Sequence, residues 1–468
     1  MGKTITISPV SRIEGHAAIS IQLDDSGQVA DACLQVREFR GFETFCVGRP
    51  LWEMPAITAR ICGICPVSHS LAASMAAEQI LGIEPPPAAT LLRTILSLAQ
   101  LLLSHSLSFF HLSAPDIVLG LDCDPAERNI VGLTRHKPDL IRKGIRLRQI
   151  AQEIVNRVGG GMLHPEHVCP GGIRQPLTPE DRDIIVGLLP EAGTLVTNAF
   201  SVWQRHCRRF LSEMGEWAEP DTLALGLTDD QGYLNHLDGN LRLVRNGKTV
   251  IMECPADRYA EVIGESVTNG SYMKPTDLLL AGSPPYRVGP LARLQAAPFR
   301  GSPRAEQKRL SFLADPLSHT PLGSHVARLI EMSHAVERLT GLLNDPLVCA
   351  PHVLNQGKIV ADEGVGVTEA PRGTLIHHYR VDRHGLLEKV HLIVATGHNT
   401  RAMDRTITAI ARRHLSGDTL NEGLLNRVEH GIRLYDPCLS CATHLHGRLG
   451  IGVSLRAPDG ALLDQATI

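Results

Sequence analysis

Two short cysteine motifs lie near opposite ends of this 468-residue sequence. They are Cys62-Gly63-Ile64-Cys65 and Cys438-Leu439-Ser440-Cys441. Each motif places two thiols within one turn of backbone, and together they supply four soft sulfur ligands of the kind that transition metals bind. We therefore expect the fold to bring both motifs to one metal site.

The two motifs lie too far apart in the sequence for a small zinc ribbon. In a zinc ribbon the pairs lie roughly 15–20 residues apart, whereas nearly the whole chain separates Cys65 from Cys438. The entropy of loop closure grows only with the logarithm of loop length, so a folded domain can still join them. Neither motif has the strand–helix context of a thioredoxin-like pair. The residues alone leave structural zinc and a redox-active metal equally open.

The amino-acid composition is typical of a soluble globular protein and argues against nucleic acid or a membrane surface as a partner. Hydrophobic residues make up 43% and charged residues 20%, and 46 basic against 49 acidic residues leave no basic field for nucleic acid or a membrane surface. The chain has eleven cysteines, an odd number and few for its length, which argues against a disulfide framework. The N-terminus lacks the layout of a signal peptide, so we expect a cytoplasmic protein.

The elements that must position the motifs are mainly helical. Residues 4–36 alternate like a β-meander, and residues 221–301 have the Gly- and Pro-rich pattern of an irregular α+β lobe. An apolar run at 88–112 is long enough to cross a bilayer, but its polar residues favour a buried core helix. The predicted fold class is α+β, predominantly helical, with a central bundle of long helices, the N-terminal β-meander and peripheral small sheets. The other predicted elements are helices following Cys65 and at 138–158, 178–213, 324–344 and 400–415, and a hairpin at 373–395.

Five separate motifs give the chain a resemblance to a known family. Besides Arg60 to His69 and Asp436 to His444, they are Arg12-Ile13-Glu14-Gly15-His16, Arg40-Gly41-Phe42-Glu43 and Ala370-Pro371-Arg372-Gly373. In this order they resemble the large, catalytic subunit of nickel-iron hydrogenases over essentially the whole chain. The ending Leu-Ser-Cys-Ala-Thr-His is most similar to the soluble, NAD-reducing bidirectional branch.

The resemblance implies a role for each motif in reversible, heterolytic H2 cleavage. Cys62 and Cys438 would bind nickel alone, and Cys65 and Cys441 would bridge nickel to an iron that carries CO and cyanide. Cys438 would take up the proton. The remaining implied roles are a proton relay for Glu14, a cation over the open metal face for Arg372, and support of the centre by His69, Pro371 and Asp436.

A magnesium site is also implied by the family. Its ligands would be the side chains of Glu43 and His444 and the backbone carbonyl of Leu392. The sequence departs from the family at Ser104 and Ser108, on either side of His105, where members often carry Asp and His.

The resemblance further implies partners, because this chain has no route for electrons. Its other cysteines lack ferredoxin spacing, and it has no G-x-G-x-x-G fingerprint. We expect a small subunit with an iron–sulfur cluster and diaphorase subunits that hold flavin and NAD. We also expect a maturation endopeptidase and nickel-insertion chaperones.

We expect one catalytic domain over residues 1–444, including the meander at 1–45, and a maturation extension at 445–468. Two alternatives are a non-catalytic structural subunit of a complex I-like assembly and a structural zinc protein.

Overall fold

The computed structural model describes residues 4–39, 41–214, 222–268, 270–282, 284–415, 422–443, 452–456 and 462–467. About half of this part is helical and the rest forms small sheets and connections. The helices are α1 (Phe42–Phe45), α2 (Met54–Thr58), α3 (Pro66–Leu81), α4 (Pro87–Leu107), α5 (Ile130–His136), α6 (Pro138–Gly159), α7 (Pro179–Met214), α8 (Pro290–Ala296), α9 (Pro303–Leu313), α10 (Gly323–Leu343), α11 (Ala395–His414), α12 (Glu422–Arg433) and α13 (Leu439–Ala442). The strands are β1 (Thr4–Ile7), β2 (Ala18–Leu23), β3 (Val29–Gln35), β4 (Val168–Cys169), β5 (Gly172–Ile173), β6 (Leu223–Thr228), β7 (Asn240–Arg245), β8 (Thr249–Pro255), β9 (Ile263–Glu265), β10 (Thr276–Leu278), β11 (Tyr286–Arg287), β12 (Glu363–Ala370), β13 (Gly373–Val381), β14 (Leu387–Ile393), β15 (Gly452–Arg456) and β16 (Leu462–Thr467).

The N-terminal strands β1, β2 and β3 form the predicted antiparallel meander. Its last strand packs on α11, where the hydroxyl of Thr408 accepts a hydrogen bond from the amide of Ala32 at 2.9 Å. The amide of Leu34 donates to Asp404 at 2.9 Å. These contacts hold the start of the chain against an element near its end.

The long helices form the main hydrophobic core. Helix α4 packs against α6 and α10, and α7 packs against the same two helices. By length and composition, Pro87–Leu119 and Pro179–Ser212 would pass as membrane spans, but 78% of the first apolar window is buried within the fold, as in a core helix. The corresponding share of the second window is 33%.

The sheet of β12, β13 and β14 lies against α3. A Cβ atom at Gly366 would lie 2.0 Å from the carbonyl oxygen of Ala72, so glycine permits the close approach of β12 to α3. The hairpin of β13 and β14 confirms the prediction for residues 373–395, whereas β12 was not predicted. The turn between β12 and β13 contains Pro371 and Arg372.

The described residues of the segment 221–301 form short strands and the short helix α8. Its larger sheet has the strand order β11-β6-β7-β8, and β9 pairs with β10. Helix α11 begins at Ala395, five residues before the predicted start, and α9 and α12 were not predicted.

Candidate metal centre

The four predicted cysteines meet in the structure. The Sγ atoms of Cys62 and Cys438 are 3.1 Å apart, and those of Cys65 and Cys441 are 3.2 Å apart. The sulfurs of Cys438 and Cys441 are 3.0 Å apart. All four lie within 4.8 Å of one another and are buried, so they form one compact donor set.

Short local elements present these sulfurs. Cys65 is the N-cap of α3, which begins with Pro66 and ends at Gly82 in the left-handed conformation, as the sequence predicts. Cys438 is the N-cap of α13. Each motif therefore enters a helix at one of its cysteines, and at Cys65 the dipole of the longer helix α3 favours the thiolate.

The N-terminal segment lies directly beside the second motif. Glu14 and Cys438 form a parallel backbone bridge, and the amide of Leu439 donates to the carbonyl of Glu14 at 3.3 Å. Gly15 has a φ of +85°, and a Cβ atom there would lie 2.7 Å from the Cβ of Leu439. A larger residue at position 15 would separate the two segments.

The electrostatics of the four thiols match a metal site. Burial raises the pKa of Cys438 and Cys441 well above the usual thiol value. Hydrogen bonds from Cys438, Cys441 and Cys62 lower the pKa of Cys65 well below it. A soft metal cation supplies the positive charge that lets all four sulfurs be thiolates together.

His69 contacts the cluster from α3. Its Nε2 lies 3.2 Å from the Sγ of Cys441, and its Nδ1 lies 3.0 Å from Nε2 of His377. The predicted neighbour of the sulfurs is thus in contact with one of them. His377, on β13, had no signal in the sequence.

Arg372 and Asp436 form a buried ion pair next to the sulfurs, with an N–O distance of 3.1 Å. Arg372 also donates to the backbone carbonyl of Asp436 and, at 3.2 Å, to the hydroxyl of Ser104. Burial lowers the pKa of Arg372, but the charges of Asp436 and the cysteines outweigh this effect and raise it. Ser104, at a departure from the family pattern, therefore supports the arginine directly.

A second buried arginine fixes the turn that carries Arg372. Arg293 donates to the backbone carbonyls of Ala370 and Pro371 at 2.8 and 3.0 Å. Its guanidinium also pairs with Glu331 at 2.7 Å and Glu369 at 2.9 Å. Arg293 is fully buried, so the two carboxylates are needed to stabilise its charge. The guanidinium is thereby fixed, and its hydrogen bonds hold the turn in place.

A small cavity of about 20 Å³ lies beside Cys65, Cys438 and Cys441. Most of its wall is apolar, and Arg372 and Thr396 are among the polar side chains that line it. The hydroxyl of Thr396 also accepts a hydrogen bond from the amide of Cys438 at 3.0 Å. Sequence reasoning missed Thr396, because nothing in the local pattern marks it.

Glu14 is half-buried, and its carboxylate is bonded to Ser440. The amide of Ser440 donates to Oε2 at 3.0 Å, and its hydroxyl donates to Oε1. Glu14 thus lies beside the second motif through both its backbone and its side chain. Ser440 was missed as its partner although it lies within that motif.

The predicted magnesium ligands are only partly described. The Oε1 of Glu43 accepts from the amide of Leu392 at 2.8 Å, and Oε2 is 3.1 Å from Nζ of Lys274. Glu265 is 3.5 Å from the same ammonium. His444 lies outside the described residues. Two carboxylates beside the strand β14 are a donor set that fits a hard cation.

Comparisons with known proteins agree with this site. A family model described as nickel-dependent hydrogenase matches residues 40–132 and 281–444, and a HoxL-like model matches residues 4–39. The chain is 37% identical to the NAD-reducing hydrogenase HoxS subunit beta of Cupriavidus necator, over 99% of each chain. It is 38% identical to one subunit of the F420-non-reducing hydrogenase vhu of Methanococcus voltae, over 88% of this chain and 98% of that one.

Solved structures give the same result. An NAD+-reducing [NiFe]-hydrogenase in the H2-reduced state matches with a TM-score of 0.89 and 41% identity, over 94% of this chain and 99% of that one. The Ni-Fe-Se hydrogenase of D. vulgaris Hildenborough matches with a TM-score of 0.75 and 25% identity, over 95% and 100%. With four buried sulfurs at the matched positions, the chain belongs to the nickel-dependent hydrogenase family.

Proposed function

We propose that this chain is the catalytic subunit of a hydrogenase that oxidises H2 reversibly and passes the electrons, through a partner iron–sulfur subunit, to NAD+. The observation that carries the proposal is the cluster of four buried sulfurs within 4.8 Å of one another. A nickel–iron centre bound there would supply the Lewis acidity and the redox capacity for heterolytic H2 cleavage. Cys62 and Cys438 would bind nickel alone, and Cys65 and Cys441 would be shared with iron.

The proton would leave through the N-terminal segment. In this proposal the sulfur of Cys438 takes the proton, and Glu14 carries it away from the site. Support comes from the backbone bridge between Glu14 and Cys438 and from the two hydrogen bonds that fix the carboxylate on Ser440. A general base must reach the proton directly or through one water, and a carboxylate held beside the second motif is suited to this role.

The cavity beside Cys65 and Cys441 would leave room for small ligands of the metal centre. Its small volume and largely apolar wall are suited to diatomic ligands such as CO and cyanide, and Arg372 and Thr396 offer hydrogen-bond donors. The fixed positive charge of Arg372 would orient and polarise an incoming ligand. Pro371 and Asp436 would keep the guanidinium in place.

Several parts of the proposal concern the wider assembly. Glu43, His444 and the carbonyl of Leu392 would bind Mg²⁺, with Lys274 moving from Glu43 when the cation binds. The relative in C. necator is named as NAD-reducing, which favours diaphorase subunits with flavin and NAD as partners. We also propose that the protein is cytoplasmic. The long helices would form a central bundle that supports one catalytic domain, residues 1–444.

Residues 445–468 would be a maturation extension that a specific endopeptidase removes after chaperones insert nickel. The nickel-dependent hydrogenase match ends at residue 444, which supports this boundary. The intact mass of the large subunit in active complex tests it. A mass that includes Ile468 would overturn the extension and leave the metal assignment standing.

Metal analysis of the purified complex tests the central proposal. We expect nickel, more iron than the iron–sulfur clusters of the partner subunits contain, and infrared bands from CO and cyanide. Zinc in place of nickel would instead support the structural zinc alternative, and a complex with neither nickel nor zinc would support a structural subunit.

A further inference from the structure

We propose that His377 and Tyr379 are positioning residues that fix His69 as a hydrogen-bond donor to Cys441. This inference rests on the proposed nickel–iron centre. The four groups form one buried chain of contacts, Tyr379 to His377 to His69 to Cys441. Its distances are 2.5 Å, 3.0 Å and 3.2 Å in that order.

The elements of the fold explain why these side chains meet. His377 and Tyr379 are two residues apart on β13, so both point to the same face of the sheet. That face lies against α3, which carries His69. Because β13 pairs with β12 on one side and β14 on the other, its backbone is fixed, and the turn with Arg372 leads directly into it.

The tyrosine determines the direction of the chain. Tyr379 is fully buried, and within the part of the chain that the structure describes its hydroxyl bonds only to Nδ1 of His377. A buried hydroxyl hydrogen without an acceptor is costly, so Tyr379 donates and Nδ1 of His377 accepts. Burial raises the pKa of Tyr379 well above its usual value, which keeps this hydrogen in place.

Because Tyr379 donates to Nδ1 of His377, the position of the ring hydrogen is determined in both histidines. His377 must carry its hydrogen on Nε2 and donate it to Nδ1 of His69. Burial lowers the pKa of His377 well below its usual value, so the ring is neutral and has one hydrogen only. His69 then has its hydrogen on Nε2 and donates it to Cys441. A thiolate bound to metal can only accept, so the direction fits the loaded site.

The consequence is a constant hydrogen bond to one of the four sulfurs. Hydrogen bonds to ligand sulfur withdraw electron density and tune the redox potential of the bound metal. Without Tyr379, His377 can carry its hydrogen on Nδ1 instead. Its Nε2 would then accept from Nδ1 of His69, and the sulfur of Cys441 would lose its donor.

Infrared spectroscopy of the purified complex tests this inference. In Tyr379→Phe we expect the CO band to move to lower wavenumber or to split, with nickel and iron contents unchanged, because a more electron-rich sulfur increases back-donation to CO. His377→Leu leaves Nδ1 of His69 without its partner, so the ring is no longer fixed toward Cys441 and the CO band should split or broaden. His377→Gln retains an N–H toward His69 and should keep the wild-type band.

Tyr286→Phe is the matched control. Tyr286 is also buried and bonded to a histidine, His398, at 2.6 Å. It lies outside this chain of contacts, so the CO band of Tyr286→Phe should stay at the wild-type position. Coincident bands in wild type, Tyr379→Phe and His377→Leu would overturn the inference. Absence of CO and cyanide bands from the wild type would overturn the proposed function itself, so the two failures are distinguishable. If His377→Leu does not fold, Tyr379→Phe decides alone.

Discussion

Both oxygens of the Glu14 carboxylate accept hydrogen bonds from Ser440, one from its amide at 3.0 Å and one from its hydroxyl. The residue that would relay the proton is therefore fixed by the same short segment that supplies Cys438 and Cys441. Residues from the two ends of the chain must pair for either function, metal binding or proton transfer, to exist.

Glu14→Gln should lower the rate of H2 oxidation by about 10²–10⁴-fold, since this is the usual contribution of a positioned acid–base group. Glutamine keeps an acceptor for Ser440 but cannot exchange a proton. Isotope exchange between H2 and D2O should slow together with dye-linked H2 oxidation, while nickel content remains that of wild type.

Ser440→Ala is the control for Glu14. It keeps the carboxylate and the backbone amide, and it removes one hydrogen bond worth about 0.5–1.5 kcal/mol, so we expect a loss of about tenfold or less. A fully active, nickel-loaded Glu14→Gln enzyme would contradict the relay.

Arg372→Lys should lower kcat/KM for H2 by about 10²-fold or more, the usual cost of removing a positioned electrostatic donor. Lysine keeps the charge that Asp436 needs but cannot reproduce the planar fork that reaches the backbone and Ser104. Ser104→Ala should cost about tenfold or less, because it removes only one neutral contact. Equal rates in Arg372→Lys and Ser104→Ala, measured at matched nickel content, would count against this role.

Local chemistry made part of this molecule predictable. Pro66 and Gly82 mark the ends of α3 by their own backbone preferences, and the alternation in residues 4–36 predicts the meander. The two cysteine motifs are likewise recognisable because each is four residues long. Features of this kind depend on neighbours in the sequence, so the sequence reveals them.

The remainder depends on contacts between distant residues. Strand β12 was missed because Gly364 and Gly366 break its pattern, and those glycines are needed for packing against α3. His377 contacts His69 from 308 positions away, and Arg293 reaches Pro371 across 78. Such partners are selected by the packed fold and leave no local spacing to recognise.

Asp116→Asn should destabilise the chain by about 3–5 kcal/mol, as expected when one partner of a buried charge network is removed. The fully buried Asp116 pairs with Arg433 at 2.8 Å and Arg12 at 2.5 Å, and thereby joins the N-terminal segment that bears Glu14 to α12. Asp122→Asn is a suitable control: Asp122 pairs with Arg427 but is 65% exposed, so we expect less than about 1 kcal/mol. The free energy of unfolding at pH 7 measures both.

The carboxylate of Asp116 also makes the stability of the chain depend on pH in the acid range. Burial raises the pKa of Asp116, but the charges of Arg433 and Arg12 outweigh burial and hold it well below its usual value. Its contribution is therefore complete above the unfolded pKa of about 3.9 and is lost as the pH falls further. Wild type should lose stability in that range more steeply than Asp116→Asn; parallel curves would show that Asp116 contributes nothing.

Asp404→Asn should stabilise the chain at pH 8 and have little effect near pH 4. Burial raises the pKa of Asp404 to about 7, against the opposing hydrogen bond from the amide of Leu34. A carboxyl with a raised pKa favours folding while it is protonated, and this contribution is lost as the pH rises from about 4 toward 7. A rise of the Asp404 pKa from 3.8 to about 7 corresponds to an upper limit of about 4 kcal/mol of stability.

The comparison of two variants isolates the charge of Asp404. Asparagine retains an oxygen that accepts from Leu34 and cannot ionise, whereas Asp404→Ala also loses this acceptor and should be the less stable variant at every pH. We expect unfolding curves of wild type and Asp404→Asn to diverge between pH 5 and pH 8, with the variant more stable. A constant difference across this range would mean that the carboxyl is already ionised in the folded chain, and that Leu34 and Arg401 stabilise its charge.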